Sequence, residues 1–378
     1  MNEKIWLSSP HMGGKEEVYV KEAFDTNWIA PLGPHVDGFE KDLCNFTGSA
    51  NAAALNTGTS AIHLALILLG IQAGDEVICQ SFTFSASANP IIYQGAIPIF
   101  IDSEKETWNM CPKHLRTAIV DRISKGKKPK AIIPVHLYGM PAKMEEIIRI
   151  ANEFEIPIIE DAAEALGSSI NGKPCGSFGQ LGVLSFNGNK IITTSGGGAL
   201  ISDHGEYITR ARFLATQARD PAPHYQHSHI GYNYRMSNVC AGIGRGQMEV
   251  LKERVEQRRS NYDFYIKAFA GIKGISFLPE LKEFFSNRWL TCILVNPALT
   301  KNGITREDIR LKLEKANIES RPLWKPMHLQ PVFVNSPFYG DGTSEKLFET
   351  GLCLPSGSNL RSDDLDRVVK VIEEICNN

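Results

Sequence analysis

One lysine lies in a sequence context that could support covalent chemistry. Lys190 ends the run LSFNGNK and is followed by IITTSGGG, so apolar and small polar residues surround it on both sides. Burial favours the neutral form of a lysine, and a neutral amine can attack a carbonyl carbon to form a Schiff base. Most lysines are solvated surface charges, so the local context of Lys190 leaves both interpretations open.

Other residues could complete a site around such a lysine. Asp161 follows an apolar run and could pair with a cationic ring nitrogen, or it could cap a following helix. Phe84 could stack on a flat ligand or be a core aromatic. Thr59 and Ser60 precede the apolar run Ala61–Leu69, where a helix N-terminus could hold a phosphate or be simply N-capped. Pyridoxal phosphate chemistry requires these four parts together.

The elements that must position these residues predict an α/β fold. Short apolar strands at 76–79, 96–101, 131–135 and 156–159 alternate with helical segments, including an amphipathic helix at 143–153. This alternation predicts a large, doubly wound, mostly parallel sheet, and ligands bind beyond the carboxyl ends of such strands. The residues that follow strand ends in this pattern are Phe84, His136, Asp161 and Ser185.

A charged helical segment at 247–259 suggests a boundary between two domains. We predict a large cofactor-binding domain over residues 1–250 and a small C-terminal α/β domain over residues 251–378. The N-terminal arm, residues 1–33, contains a predicted helix at 16–25 and is expected near the active-site mouth.

Composition excludes several classes of function. With 43% hydrophobic and 22% charged residues, the 378-residue chain is typical of globular proteins. The net charge of -2 gives no general attraction to nucleic acid or to an anionic membrane. No signal peptide or membrane-spanning run is recognisable, and the eight cysteines form no CxxC pair, so we expect reduced thiols and a cytoplasmic location. His224, His227 and His229 lack partners at metal-site spacing, and we predict no metal.

The order of motifs along the chain resembles the DegT/DnrJ/EryC1/StrS family of sugar-nucleotide aminotransferases. The resemblance covers nearly the whole chain and implies the fold of the pyridoxal-phosphate-dependent aspartate aminotransferases, known as fold type I. The matching segments are GTS at 58–60, SFTF at 81–84, Asp102, HLYG at 136–139, EDAAEALG at 160–167, SF at 185–186 with Lys190, GGG at 196–198 and GYNYRMS at 231–237.

Further segments resemble one branch of that family, which aminates C4 of a UDP-linked 4-keto-6-deoxy-N-acetylglucosamine in bacillosamine-type pathways. These segments are PHMGG at 10–14, NGNKIITTS at 187–195, TQAR at 216–219, RPLWK at 321–325 with His328, and CLPSG at 353–357. The resemblance implies a ping-pong transfer of the amino group of L-glutamate, in the biosynthesis of a cell-surface glycan or a nonulosonic acid.

The resemblance also implies roles for the cofactor-binding residues. Lys190 would bind pyridoxal 5′-phosphate covalently and shuttle a proton. Glu164 stands where many relatives have glutamine, near the phenolic oxygen, and an ionised carboxylate could not donate a hydrogen bond there. Asn233 would reach the phosphate from the second subunit of a homodimer with shared active sites. The remaining implied contacts are Asp161 at the pyridine nitrogen, Phe84 and Ala163 on the two ring faces, and Gly58, Thr59, Ser60 and Ser185 at the phosphate.

Implied substrate contacts are spread over the chain. The loop Asn27, Trp28, Ile29 and Ala30 would line the pocket mouth; Arg235, Arg321 and Lys325 are candidates for the pyrophosphate; Trp324 and His328 would lie near the sugar or uracil. His136 is expected to be structural.

Three alternatives stay open at the level of sequence. One is amination of another carbon, such as C3, or of a dTDP- or GDP-linked sugar. Another is C3 dehydration, in which relatives have histidine in place of Lys190. The last is a non-catalytic binding or regulatory member of the family.

Overall fold

Strands and helices alternate through most of the chain, as the sequence pattern predicts. The computed structural model describes residues 3–377. Within them the helices are α1 (Glu16–Asp25), α2 (Pro34–Thr47), α3 (Gly58–Leu68), α4 (Asn89–Tyr93), α5 (Pro112–Ser124), α6 (Met144–Glu153), α7 (Gly205–Ala215), α8 (Asn238–Phe269), α9 (Arg306–Lys315), α10 (Thr343–Thr350) and α11 (Ser362–Asn377). The strands are β1 (Asn51–Leu55), β2 (Glu76–Gln80), β3 (Ile97–Ile101), β4 (Ala131–Ile133), β5 (Ile159–Asp161), β6 (Ser169–Ile170), β7 (Lys173–Pro174), β8 (Leu181–Ser185), β9 (Gly198–Ser202), β10 (Ile275–Phe277), β11 (Phe284–Phe285), β12 (Thr291–Val295), β13 (Arg321–Pro322), β14 (Phe338–Tyr339) and β15 (Gly351–Leu354).

A large mixed sheet forms the centre of the molecule. Two four-stranded segments, β1-β9-β8-β5 and β4-β2-β3-β14, are joined by parallel bridges between Ile132 and Ile158 and between Val135 and Asp161. Strand β9 is antiparallel to both of its neighbours, whereas the pairs from β8 to β14 are parallel. The prediction of a doubly wound, mostly parallel sheet is therefore confirmed.

Apolar residues explain why this sheet is buried on both faces. Strands β2 and β9 are buried along their whole lengths, as strands covered by helices on each side should be. Helix α3 packs on one face with Ile62, Leu64 and Leu66 in the core, and α6 packs on the other with Ile147 and Ile150.

The C-terminal part of the chain builds a second, antiparallel sheet in the order β10-β12-β15-β13. Helices α9 and α11 and the end of α8 cover it through a separate core that includes Tyr265, Ile309 and Ile372. Sheet pairing also links the two halves, because β14 extends the central sheet beside β3 and β11 pairs with β6.

Asp102, one of the motif residues, fastens the C-terminal part to the end of β3. Its fully buried carboxylate accepts backbone N–H groups from Asp341, Gly342, Thr343 and Ser344, at the start of α10. The carboxylate thus satisfies donors that a helix N-terminus leaves unpaired.

The predicted division at residue 250 falls inside one continuous helix of 32 residues, α8. The division into residues 1–250 and 251–378 stays a prediction. No helix within residues 3–377 combines the length and the apolar character that crossing a membrane requires.

Candidate active site

Several strand ends and loops of the central sheet surround a cavity of about 260 Å³. The predicted site residues that line it are Gly58, Thr59, Phe84, Asp161, Ala163, Glu164, Ser185, Lys190 and Trp324. They come from distant parts of the sequence and meet because the carboxyl ends of parallel strands share one edge of the sheet. The arrangement gathers a lysine, two carboxylates, a helix N-terminus and three aromatic side chains around one space.

Lys190 lies in a tight turn after β8. Its backbone N–H donates to the carbonyl of Asn187 at 3.0 Å. The carbonyl of Asn189 accepts two hydrogen bonds of 2.7 Å, from the indole Nε1–H of Trp289 and the hydroxyl of Ser8. The side chain of Lys190 is only 12% exposed. The lysine is therefore not a solvated surface charge, and two remote segments, at Ser8 and Trp289, hold its turn in place.

Asp161, at the end of β5, is a buried carboxylate. One oxygen accepts the hydroxyl of Ser87 at 2.7 Å and the other accepts the N–H of Ala163 at 3.1 Å. No helix begins directly after it, so it does not cap one. Among residues 3–377 no cationic side chain pairs with Asp161, and a buried carboxylate needs such a partner or strong hydrogen bonds. A ligand with a protonated ring nitrogen would supply the missing positive charge.

The start of α3 faces the cavity from another side. Thr57 is the N-cap, and its side chain accepts the N–H of Ser60 at 2.9 Å. Gly58 packs tightly against Ser185, since a Cβ on Gly58 would lie 3.1 Å from that of Ser185. The backbone N–H groups and the dipole of an 11-residue helix favour an anion here, beside the hydroxyls of Thr59 and Ser185. The Thr57 cap therefore leaves this turn able to present backbone N–H groups to an anion.

A ladder of aromatic rings borders the cavity. Phe84 is 52% exposed, so it is not a core aromatic, and its ring centroid lies 5.4 Å from that of Trp324. Trp324 stacks on Tyr138 with centroids 6.0 Å apart, and Tyr138 stacks on Trp289 at 6.4 Å. The exposed face of Phe84 is available to cover a flat ligand.

Glu164 is the second carboxylate of the cavity. One oxygen accepts the N–H of Tyr138 at 2.7 Å, and the other lies 3.4 Å from the Nζ of Lys190. Burial raises the pKa of the Glu164 carboxyl above its ordinary value, while the Lys190 charge and the Tyr138 N–H oppose that rise.

Other predicted residues lie outside this cavity in the single chain. Ser60 turns its hydroxyl to Asn56 at 2.6 Å, as part of the helix cap. The side chains of Asn27, Trp28, Ile29 and Ala30 are exposed on the surface, and Asn233 is exposed as well. A site completed by a partner subunit would be needed to bring these loops to a substrate.

The four polar residues predicted to bind substrate also lie outside the cavity. Arg235 is buried and pairs with Glu40 at 3.0 Å. Arg321 is exposed beside Glu319. His328 contacts Ser81 at 2.7 Å and stacks on Phe338. Lys325 is exposed, and the charges of Arg235 and Arg321 already have carboxylate partners in this chain.

Sequence reasoning missed several residues of the cavity. Trp289 has no local signal, because its place depends on packing of the C-terminal part against the lysine turn. Ser87 follows Phe84 within one helical turn, a spacing that could have indicated a shared site. Further lining residues not predicted are Thr57, Ile62, Thr83, Ala86, Val135, Val183, Asn187, Asn189, Gly196 and Gly197.

His136 contacts Glu160 rather than a ligand. In the part of the chain that the structure describes, His136, Glu160 and Cys175 are the group that brings three possible metal ligands together. The Glu160 carboxylate already accepts N–H groups of Gly176, Phe178 and Gly179 as well as the His136 ring, and the Nδ1 of His136 accepts the N–H of Ala142. These bonds give the cluster a structural role.

Comparison with known proteins decides the family. The model of the "DegT/DnrJ/EryC1/StrS aminotransferase family" matches residues 10–373. The chain belongs to this family. It is 52% identical over 376 residues to EpsN of Bacillus subtilis (strain 168), covering 98% of this chain and 96% of that protein, whose name assigns it provisionally as a pyridoxal phosphate-dependent aminotransferase.

Two further relatives agree with this assignment. The chain is 35% identical to a GDP-perosamine synthase of Caulobacter vibrioides, covering 98% of both chains. A DegT DnrJ EryC1 StrS aminotransferase from Brucella abortus superposes with a TM-score of 0.89 at 28% identity, covering 96% of both chains. The fold, the enzyme class and the cofactor predicted from the sequence are confirmed: this is a pyridoxal-phosphate-dependent sugar aminotransferase.

The cavity fits that cofactor. Lys190 offers the amine, Asp161 a buried carboxylate without a cation, α3 a helix N-terminus for the phosphate, and Phe84 an exposed ring face. When bound, pyridoxal phosphate supplies an aldehyde that accepts an amino group and a ring that withdraws electrons. Each of the four groups in the chain matches one part of the molecule.

Proposed function

We propose that this enzyme transfers the amino group of L-glutamate to C4 of a UDP-linked 4-keto-6-deoxy-N-acetylhexosamine by a ping-pong reaction. One observation carries the proposal. The segment at 187–195, through which the chain resembles the C4-aminating branch, contributes Asn187, Asn189 and Lys190 to the cavity wall. Residues of the segment that resembles this branch therefore line the cavity, which supports the proposal.

The residues of the cavity have separate tasks in this proposal. The amine of Lys190 moves a proton to or from the reacting carbon of each substrate. Asp161 keeps the ring nitrogen protonated. The hydroxyl of Ser87 holds the Asp161 carboxylate in place. Gly58, Thr59 and Ser185 bind the phosphate, and Phe84 and Ala163 cover the ring faces.

The nucleotide would extend out of this cavity. The volume of the cavity, about 260 Å³, is below the ~300–1,000 Å³ typical of pockets that enclose a drug-sized ligand. We infer that the nucleotide lies across the mouth, near Trp324 and the loop at 27–30, and that a second subunit covers it. Lys325, Arg321, Arg235 and His328 remain candidates for contacts that would need rearranged partners.

A GDP-linked sugar is the second candidate substrate, because the Caulobacter vibrioides relative is named a GDP-perosamine synthase. The test is a panel of UDP-, dTDP- and GDP-linked 4-keto-6-deoxy sugars and 3-keto analogues, each with L-glutamate. We expect the highest kcat/KM with the UDP-linked 4-keto N-acetylhexosamine and a C4 amine identified by NMR. Faster turnover of a GDP-linked sugar, or a C3 amine, would overturn the proposal.

Placement in glycan or nonulosonic acid biosynthesis in the cytoplasm belongs to the same proposal. All eight cysteines are free thiols in the structure, as a reducing compartment would keep them.

A further inference from the structure

The amine of Lys190 lies between a carboxylate and an aromatic face. Its Nζ is 3.4 Å from an oxygen of Glu164 and 4.1 Å from the ring centroid of Trp289. The Glu164 side chain is 4% exposed, so water screens this contact little. A carboxylate and an indole face are both groups that bind an ammonium ion.

Both partners of the amine are fixed by contacts of their own. The second oxygen of Glu164 accepts the N–H of Tyr138. Trp289 is buried; its indole N–H donates to the carbonyl of Asn189 and its backbone N–H donates to Asn287 at 2.9 Å. Arg258 donates to the carbonyl of Trp289 at 2.6 Å. Hydrogen bonds to other parts of the chain therefore fix both groups that contact the amine.

The ammonium must leave these contacts when Lys190 bonds covalently to a ligand. To bind an aldehyde, the ammonium must lose a proton, its nitrogen must bond to the aldehyde carbon, and the aldehyde oxygen must leave as water. The observed position therefore suits the half of the catalytic cycle in which the lysine is free. We propose that Glu164 and Trp289 are positioning residues that form a resting site for the free ammonium of Lys190.

The test compares two forms of the cofactor that differ at the reacting carbon. Pyridoxal 5′-phosphate captures Lys190, whereas pyridoxamine 5′-phosphate leaves it free; their contacts with the phosphate and ring sites are shared. Only the binding of pyridoxal phosphate therefore requires Lys190 to leave the resting site. If the site is lost, the ratio Kd(pyridoxamine phosphate)/Kd(pyridoxal phosphate), measured on cofactor-free protein, should rise. Equilibrium dialysis or tryptophan fluorescence can measure both constants, since Trp289 and Trp324 line the cavity.

Glu164→Gln keeps the size of the side chain and an acceptor for the Tyr138 N–H but removes the negative charge. We expect the ratio to rise about tenfold, as loss of a charge-assisted hydrogen bond predicts. Glu153→Gln, which removes a surface carboxylate paired with Arg116, is the matched control and should leave the ratio unchanged. An unchanged or lower ratio in Glu164→Gln would overturn the inference.

A second measurement uses the wild-type enzyme and does not depend on the variant folding. In a crystal structure of the pyridoxamine phosphate complex, the Nζ of Lys190 should remain within hydrogen-bonding distance of Glu164. An amine directed elsewhere would overturn the inference. Neither measurement uses a sugar nucleotide, so a negative result here leaves the proposed substrate untouched.

Discussion

Lys190 shows how much of a residue's chemistry depends on its neighbours. The amine is confined by Glu164 and Trp289, and its backbone turn is held through the carbonyl of Asn189. Only Glu164 among these was singled out from the sequence. In the proposed reaction, this restraint on the side chain would let the amine of Lys190 reach the same carbon atom in every turnover.

The first prediction concerns the lysine itself. Lys190→Ala should abolish the absorbance of covalently bound cofactor and lower kcat by at least ~10³-fold, because both the covalent bond and the proton transfer are lost. Absorbance spectra and a coupled assay of 2-oxoglutarate check this. Lys21→Ala, a surface lysine paired with Asp25, is the control and should behave as wild type. Wild-type turnover by Lys190→Ala would rule out the assigned role.

A second prediction concerns His63, which lies within α3. Its Nδ1 lies 3.1 Å from the Tyr234 hydroxyl and its Nε2 lies 2.6 Å from the Gln94 amide. Burial lowers the pKa of His63 below its ordinary value. As pH falls below about 6.5 the unfolded chain binds a proton at this residue before the folded chain does, so stability should fall with pH.

Thermal melts between pH 7.5 and 5.5 test this pH dependence. We expect the loss of Tm on acidification to be smaller in His63→Gln than in the wild type. It should not vanish, because burial, followed by Arg254, also lowers the pKa of His11. Equal losses in the two proteins would contradict the prediction.

At the scale of elements, the site depends on how closely β9 approaches the start of α3. A Cβ on Gly198 would lie 2.3 Å from the backbone nitrogen of Gly58 and the carbonyl carbon of Thr57. Only glycine allows this approach, which places the helix N-terminus beside Ser185 at the end of β8. The glycine run at 196–198 therefore returns the chain from the lysine turn and also sets the position of the helix N-terminus that we propose binds the phosphate.

Gly198→Ala should therefore separate β9 from α3. We expect the free energy of unfolding to fall by about 3 kcal/mol, as for overpacked core sites, and the affinity for pyridoxal phosphate to fall about tenfold. Chemical denaturation and cofactor titration measure the two effects. Gly271→Ala is the control, because a Cβ at Gly271 would meet no atom within 4 Å, and both quantities should be preserved. An unaffected cofactor affinity in Gly198→Ala would contradict the role of this approach.

At the scale of the whole molecule, the cavity of one chain omits residues that the family resemblance assigns to the site. Asn233 and the loop at 27–30 are exposed, and Trp28 and Ile29 expose about half of their surfaces, at 47% and 53%. These positions suit a homodimer in which each subunit supplies part of the other's site, which stays a prediction.

Subunit mixing tests that prediction. Lys190→Ala and Asn233→Ala homodimers should each be impaired, the second through loss of a phosphate contact. After dissociation and reassociation of an equal mixture, half of the dimers would carry one intact site, so about a quarter of wild-type activity should return. No recovery beyond the sum of the parents, with mixed dimers demonstrated by mass, would show that Asn233 does not act across the interface.

By itself, the sequence determined the elements and the cofactor chemistry. Strand periodicity, the small polar residues before α3, and a carboxylate after an apolar strand are local patterns. They were enough to predict that Phe84, His136, Asp161 and Ser185 follow strand ends at one edge of the sheet. The helix bounds were close as well; α3 begins at Gly58 rather than Ala61 because Thr57 caps it.

Only the tertiary structure decided which partner each polar side chain takes. From the sequence, Arg235 and His328 were both candidates for substrate contacts. In the structure Arg235 is buried against Glu40 and His328 lies against Ser81. Trp289, almost 100 residues after Lys190, reaches the lysine turn through packing of the C-terminal part on the large sheet. Such contacts depend on the distance and burial of groups remote in the chain, and no local pattern contains that information.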